Sequence, residues 1–399
     1  MRTRRKGSEI NLSLKTASER SGRFVPITGG ANGYAAYHPA PLPVTPAIVL
    51  TPALQRLLDL ANQELGRLDG ITALLPDPQT LLYTYVRKEA VLSSQIEGTQ
   101  SSLSDLLLFE NEAAPGVPIS DVAETANYIT AMNHGIASVR QGRLPVSSRL
   151  LREMHKLLLE GVRGADKAPG QFRRDQNWIG GTSPQNARFV PPPWNLLPEA
   201  VSNLERYLHD PDEPLLVRAG IAHAQFETIH PFLDGNGRVG RLLITLVLCA
   251  EGVLREPLLY LSLYFKQHRD EYYERLQRVR THGEWEEWLT FFLEGVAEVA
   301  RSATDTTARI VHMIQRDRQR IGQVGRGAAS ALRIHDLAVR SVVITPRQAA
   351  RQTGLTDPPT YAAIRRLEAL GVLREITGRQ RGKVWAYGEY LDTLTEGTG

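Results

Sequence analysis

The stretch His230-Pro231-Phe232-Leu233-Asp234-Gly235-Asn236-Gly237-Arg238-Val239-Gly240-Arg241 decides the reading of this chain. An apolar helical run ends at His230, because Pro231 cannot continue it without losing a backbone bond. A second helix is expected from Gly237 to Glu251. Two glycines between them let the backbone turn sharply and approach a ligand closely. The free amides at the start of the second helix, with its dipole, form an anion site. Arg238 and Arg241 follow at once, where cations oppose the dipole unless an anion lies between. A polyphosphate accounts for both, since guanidinium groups grip phosphate oxygens well. Asp234 then suits Mg²⁺, which takes few carboxylates and completes its shell from phosphate. His230, at the mouth, is placed to take a proton from an incoming hydroxyl. The glycine-rich P-loop pattern is absent, so this is a different phosphate cradle.

Outward from this centre the chain reads as mainly helical. Helices are expected from about Pro52, over Leu82 to Glu97, Ser102 to Glu110, Ser120 to Arg140 and Ser147 to Glu160. Others are expected over Leu196 to Leu208, Glu213 to Ile229, Arg269 to His282 and Trp285 to Val311. Pro169 to Pro193, rich in Gly, Pro and Asn with the apolar pieces WI and FV, reads instead as hairpin or loop. Residues 1–45 read as a flexible or surface-hugging leader. In the tail, Ala328 to Leu337, Thr345 to Gln352 and Pro359 to Leu370 read as three short helices. GVLREITGRQRGKVWAYGEY after them reads as strand, turn, strand, the order of a winged helix-turn-helix. The expected division is a leader (1–45), an N-terminal helical segment (46–120), a core (121–300), a connecting helix or linker (301–327) and the winged helix (328–399).

The chain has 399 residues, 42% of them apolar and 23% charged, which suits a soluble globular protein of two or three units. No apolar run reaches the ~20 residues of a membrane span. No signal-peptide stretch opens the chain, and Cys249 is the only cysteine, so the expected compartment is the cytoplasm. Net charge is +4, yet Arg301 to Lys383 holds 16 Lys/Arg against 6 Asp/Glu, a local +10 that leaves the rest at −6. Arg365 and Arg366 on the third short helix, with Arg379, Arg381 and Lys383 on the wing, can face DNA; a surface for protein contact is the plainer alternative.

A second signal is Ser93-Ser94-Gln95-Ile96-Glu97-Gly98. Glu97 sits at a helix C-terminus, where a negative charge costs a few tenths to ~1 kcal/mol. A local rule broken in this way marks a functional position.

His230 to Arg241 is similar to the Fic motif, HPFx(D/E)GNGRxxR, with every fixed position filled. The resemblance implies a nucleotidyltransferase with a helical Fic core and a small hairpin flap, moving AMP from ATP to a Tyr, Thr or Ser hydroxyl of a target protein or of itself. It makes His230 the general base, Phe232 the anchor of the loop and Asp234 the Mg²⁺ ligand. Gly235, Asn236, Gly237, Val239 and Gly240 then belong to the ATP cradle, Arg238 contacts the α/β-phosphates and Arg241 the γ-phosphate. Ser93 to Gly98 resembles the family's inhibitory motif, (S/T)xxxE(G/N), placed before the core. It implies that Glu97 pairs with Arg241 and restrains ATP binding, with Ser93 and Gly98 framing it. PGQFRRDQNWIGG and FVPPP resemble the flap segment, with a hairpin near residues 180–193 that pairs with an extended stretch of the target. LLYLSLYFKQHRDEYYERL resembles a later core helix whose Tyr272 or Tyr273 packs near adenine. The resemblance covers about residues 50–300 and implies a homodimer.

Alternatives stay open at this level. Glu97 can also serve removal of AMP from a modified protein, or the core can be a nucleotide sensor for a DNA-binding regulator. UTP, GTP or a phosphocholine carrier can replace ATP, because nothing in the cradle reads the base. For His223, Glu227 and His230 a metal site is the sharp reading and a packing role for His223 the plainer one. Trp285 and Trp288 read as core, and Cys249 as a small buried hydrophobe.

Overall fold

A computed structural model describes residues 18–27, 33–72, 78–111 and 117–397. The elements run β1 (Gly22–Ile27), β2 (Tyr34–Pro39), α1 (Pro52–Thr72), α2 (Pro78–Ile96), α3 (Leu103–Glu110), α4 (Ile119–Arg140), α5 (Ser148–Leu158), α6 (Leu197–Leu208), α7 (Leu215–Ile229), α8 (Asn236–Ala250), α9 (Ser262–Gln267), α10 (Arg269–His282), α11 (Trp285–Gly322), α12 (Ala328–Ser341), β3 (Val343–Ile344), α13 (Pro346–Thr353), α14 (Asp357–Ala369), β4 (Leu373–Glu375), β5 (Trp385–Tyr387) and α15 (Gly388–Thr395). The mainly helical class expected from the sequence holds. Among the described residues no helix is long and apolar enough to cross a membrane.

The helix starts follow local chemistry. Ser102 and Asp105 form a reciprocal capping box on α3, Ser147 caps α5 and Thr345 caps α13. At the centre lies α7, buried at every residue from Leu216 to Ile229. A helix buried all round needs neighbours on all sides; α6, α8, α10 and α11 supply them. The Trp288 indole donates to Gly220 O at 2.9 Å, and Trp285 and Trp288 are core residues as expected. α2, which ends just before Glu97, packs against α4, α8 and α9.

Three expectations change. Residues 18–27 and 33–45 are folded, not a loose leader; residues 1–17 and 28–32 lie outside the described part. β1 and β2 pair antiparallel, Gly22 opposite Pro39, and Ala36 and Tyr37 are fully buried. Arg20 pairs with Glu286 at 2.6 Å, and Asn203 bonds both backbone groups of Leu42, at 2.7 and 2.9 Å. This segment is short of core residues by itself and becomes ordered by docking on the body. α11 runs to Gly322, beyond the expected end at Val311, because its sparse buried stripe (Ile310, Met313, Ile321) is covered by α12 and α15. Over residues 180–193 there is no two-stranded hairpin. A single bridge joins Ile179 to Phe189, with N–H···O bonds of 2.8 and 3.1 Å in the two directions. Asn186 Oδ1 accepts from Thr182 N and Ser183 N, both at 2.9 Å, turning the loop back before strands can extend.

The tail forms four helices, α12 to α15, one more than expected, and a three-stranded antiparallel sheet, order β3-β5-β4. It is fixed to the body by α12 against α2 and by buried Asp317 of α11, which accepts from Tyr387 OH at 2.8 Å and pairs with Arg316 and Arg320.

Candidate active site

The loop between α7 and α8 is built from its own backbone. His230 caps α7 in the left-handed region, φ 49°, and Gly235 does the same ahead of α8 at φ 77°. Asn236 Oδ1 accepts from Phe232 N and its Nδ2 donates to Phe232 O, both at 2.8 Å; Asn177 Nδ2 adds a bond to the same carbonyl at 2.9 Å. The Asn236 side chain is thus spent on holding the loop. Phe232 is fully buried and stacks on His155, ring centres 3.8 Å apart. His155 accepts from Gly170 N through Nδ1 (2.8 Å), so Nε2 carries the proton that goes to Asp234 O at 3.0 Å. Burial lowers the His155 pKa to about 4 and keeps it neutral for this task.

Beyond the loop, the start of α8 meets the end of α2. Arg241, buried in the first turns of α8, donates Nε to Ser93 Oγ (2.8 Å) and Nη2 to Ser93 O (2.9 Å) and Glu97 Oε1 (2.7 Å). Burial pushes the Glu97 pKa up, but Arg241, and then Arg238 and His230, outweigh it and hold the carboxyl below its ordinary value. A Cβ built on Gly237 would overlap Glu97 Oε1, so only glycine lets the carboxylate lie against the first turn of α8. The carboxylate therefore occupies the position where the helix N-terminus favours an anion. Gly98, at φ 98°, turns the chain away after it.

Arg238, 1% exposed, is 3.2 Å from Glu124 Oε2 and 3.6 Å from Asp234 Oδ1. Asp234 is half-open to solvent and accepts from Gly235 N at 2.6 Å. Val239 N bonds Gly235 O at 3.1 Å and its side chain is core. Gly240 lies close to Phe226, Glu227 and His223, where it lets α8 approach α7. Tyr273 lines an open cleft with Arg188 and Glu274, and its hydroxyl feels both Glu97 and Arg241.

His223 bonds Gly240 O and Tyr272 OH, each at 2.8 Å, which commits both ring nitrogens and leaves it a packing residue. Among the described residues no cluster of three metal-binding side chains occurs. Glu227 has one buried carboxylate oxygen without a partner, and burial raises its pKa to about 7 despite Arg241. Sequence reading missed Glu124, His155, Arg173 and Arg280 around the loop. Arg173 stands within the flap-like segment already quoted; the other three carry no local signal.

The chain resembles known Fic proteins in sequence and in fold. The model for the Fic/DOC family N-terminal region matches residues 55–137, and that for the Fic/DOC family matches 145–248. The chain is 31% identical over 204 residues to the protein adenylyltransferase Fic of Culex quinquefasciatus, covering 50% of this chain and 38% of that protein. It is 30% identical over 187 residues to that of Drosophila yakuba, covering 46% and 34%. The matches thus span little more than a third of the length of these curated relatives. A Fic family protein from Desulfovibrio desulfuricans G20 shares the fold at a TM-score of 0.57 and 20% identity, over 85% of this chain and 97% of the other. Residues 55–137, which include Glu97, and residues 145–248, which include the His230 to Arg241 loop, thus carry Fic/DOC family domains.

Proposed function

We propose that the protein transfers AMP from ATP to a protein hydroxyl and that Glu97 restrains the reaction. The observation that carries this reading is the 2.7 Å Glu97–Arg241 ion pair set against the N-terminus of α8. A carboxylate held there stands in for the anion the site is built to bind, and its departure frees the first-turn amides and Arg241 for a polyphosphate. Arg238 then contacts the inner phosphates and Arg241 the γ-phosphate. Asp234 fits Mg²⁺ that arrives with ATP. It is a single accessible carboxylate, suited to an ion that draws its other ligands from phosphate and water; such an ion would steady the charge on the leaving group.

In this reading the target hydroxyl oxygen attacks the α-phosphorus in line. A new P–O bond forms, the bond to the pyrophosphate oxygen breaks, and the hydroxyl proton passes to His230. His230 must then be neutral beforehand. Burial, with Arg280 and Arg173, lowers its pKa to about 3, so it is unprotonated at pH 7. Tyr273 is the candidate for contact with the base. The region of residues 180–193 is the candidate docking edge for the target. Its Val190 carbonyl is taken by Tyr37 N of β2 at 2.8 Å and Ile179 is paired with Phe189, so an incoming strand would use other backbone groups of this loop.

The test uses wild type, Glu97→Gly and Glu97→Gly with His230→Ala, each given Mg²⁺ and ATP labelled at the α- or the γ-phosphate. Protein-bound label from the α position only, strong in Glu97→Gly and absent from the double variant, supports the reading. Label from the γ position makes the protein a kinase.

A second reading concerns the tail. Arg365 on α14 and Arg379, Arg381 and Lys383 on the β4–β5 turn are all exposed, and we propose this face as a DNA contact.

A further inference from the structure

Two buried arginines close on the last turn of α7 from different elements. Arg173, 2% exposed, precedes the flap region. Its Nε donates to His230 O (3.0 Å), its Nη2 to Pro192 O (2.5 Å) and Ile229 O (3.4 Å), and its Nη1 to Asp175 O (3.2 Å). Its backbone N–H goes to Pro231 O at 2.9 Å. Arg280 of α10, 5% exposed, donates Nη2 to Glu227 O (3.1 Å) and Nε to Thr228 Oγ1 (3.2 Å). Its guanidinium carbon lies 4.0 Å from the centre of the Phe189 ring.

Burying a cation is costly, and Arg173 is satisfied by carbonyls alone. Those carbonyls are well chosen. The last four of a helix have no partner within it and carry the negative end of its dipole. The far side of each arginine holds the flap: Arg173 at the Pro192 carbonyl, Arg280 at the face of Phe189. His230 meanwhile sits in the left-handed region, which is unfavourable for a non-glycine residue. The bond from Arg173 to its carbonyl helps hold that conformation.

We propose that Arg173 and Arg280 are positioning residues, a clamp that seats the flap on the end of α7 and sets the orientation and neutrality of His230. The inference rests on the reading of His230 as the proton acceptor. A histidine at a helix C-terminus ordinarily gains proton affinity from the dipole. Here the two guanidinium groups occupy those carbonyls and reverse the field, adding to burial, against Glu97 and the Glu227 backbone, which favour the proton. The charged groups facing His230 are thus Arg173 before the flap, Arg280 of α10 and Glu97 after α2.

The experiment uses the full chain carrying Glu97→Gly, with Arg173→Lys, Arg173→Gln, Arg280→Lys, Arg280→Gln and Phe189→Leu. Three readouts are taken: the His230 titration by NMR of labelled histidine, cleavage of the flap by a trace of protease, and AMP transfer over ATP concentration and pH. In the parent, His230 is expected to titrate at about 3. In the Gln variants the midpoint is expected to rise, while burial, the largest cause of the lowering, keeps it below the ordinary value. The flap is expected to be cut at least fivefold faster in all five variants. For the lysine variants, which keep charge but lose the fork, kcat is expected to fall at least tenfold with KM for ATP within twofold. An unchanged His230 midpoint in the Gln variants, or a transfer rate and flap protection equal to the parent's in folded variants, overturns the clamp. No transfer even by the Glu97→Gly parent would instead refute the transferase reading, while titration and cleavage still decide whether the clamp exists.

Discussion

Replacing Glu97 with glycine is expected to raise AMP transfer at low ATP by about tenfold to thirtyfold. The figure follows from what is lost. Arg241 makes one charge-assisted bond to Glu97 at 2.7 Å, and its bonds to Ser93 Oγ and O remain after the substitution. Such a bond is worth about 1.5–3 kcal/mol net. Glu97 is 31% exposed, so water weakens the pair and the lower part of that range applies. About 1.5–2 kcal/mol of competition removed from the phosphate site is roughly tenfold to thirtyfold in apparent ATP affinity. The assay is label transfer from α-labelled ATP well below saturation, with Arg241→Ala introduced beside both wild-type and Glu97→Gly chains. Because the restraint is argued to act through Arg241, the gain should vanish in that background. A Glu97→Gly rate at or below wild type, or a gain that persists without Arg241, refutes the argument. The pH dependence has a definite sign. The Glu97 carboxyl is held below its ordinary value of 4.5, so the pair is intact above that value and fails only as pH falls through the lowered one. Between pH 6 and 9 the restraint should therefore not vary through Glu97.

Other outcomes follow from the same geometry. Asn236→Ala removes both bonds to the Phe232 backbone at a buried position and should lower stability by about 2–3 kcal/mol, read as the denaturant midpoint, with loss of transfer activity. Glu227 has its pKa raised to about 7 in the folded chain, so its ionisation weakens the fold as pH rises from 4.5 through 7. Glu227→Gln should therefore be more stable than wild type at pH 8, by on the order of 2 kcal/mol, with the difference vanishing near pH 4.5 in denaturant titrations. For the tail, DNA binding should weaken steeply with salt, and Arg381→Ala or Lys383→Ala should each reduce the slope of log K against log salt by about 1. Binding insensitive to salt would make that face a protein contact.

Much of this protein is legible in one dimension. His230 to Arg241 holds its meaning locally, since a proline stop, a glycine turn and a helix N-terminus are consequences of neighbouring residues. The pairing of Glu97 with Arg241 was implied by likeness to a motif, and the observed bond spans 144 positions. What only the tertiary structure decided are the contacts that sequence spacing does not encode. Asn236 reads as part of a phosphate cradle, yet its side chain holds the Phe232 backbone. The leader reads as loose because its few apolar residues cannot form a core alone, yet Ala36 and Tyr37 find one on the body. Arg173 and Arg280 read as two of many arginines. They acquire a role because folding brings the end of α7, with its unpartnered carbonyls, within reach of both. Local backbone chemistry is written into adjacent residues, whereas the partners of a buried charge depend on which helix ends meet it in the folded chain.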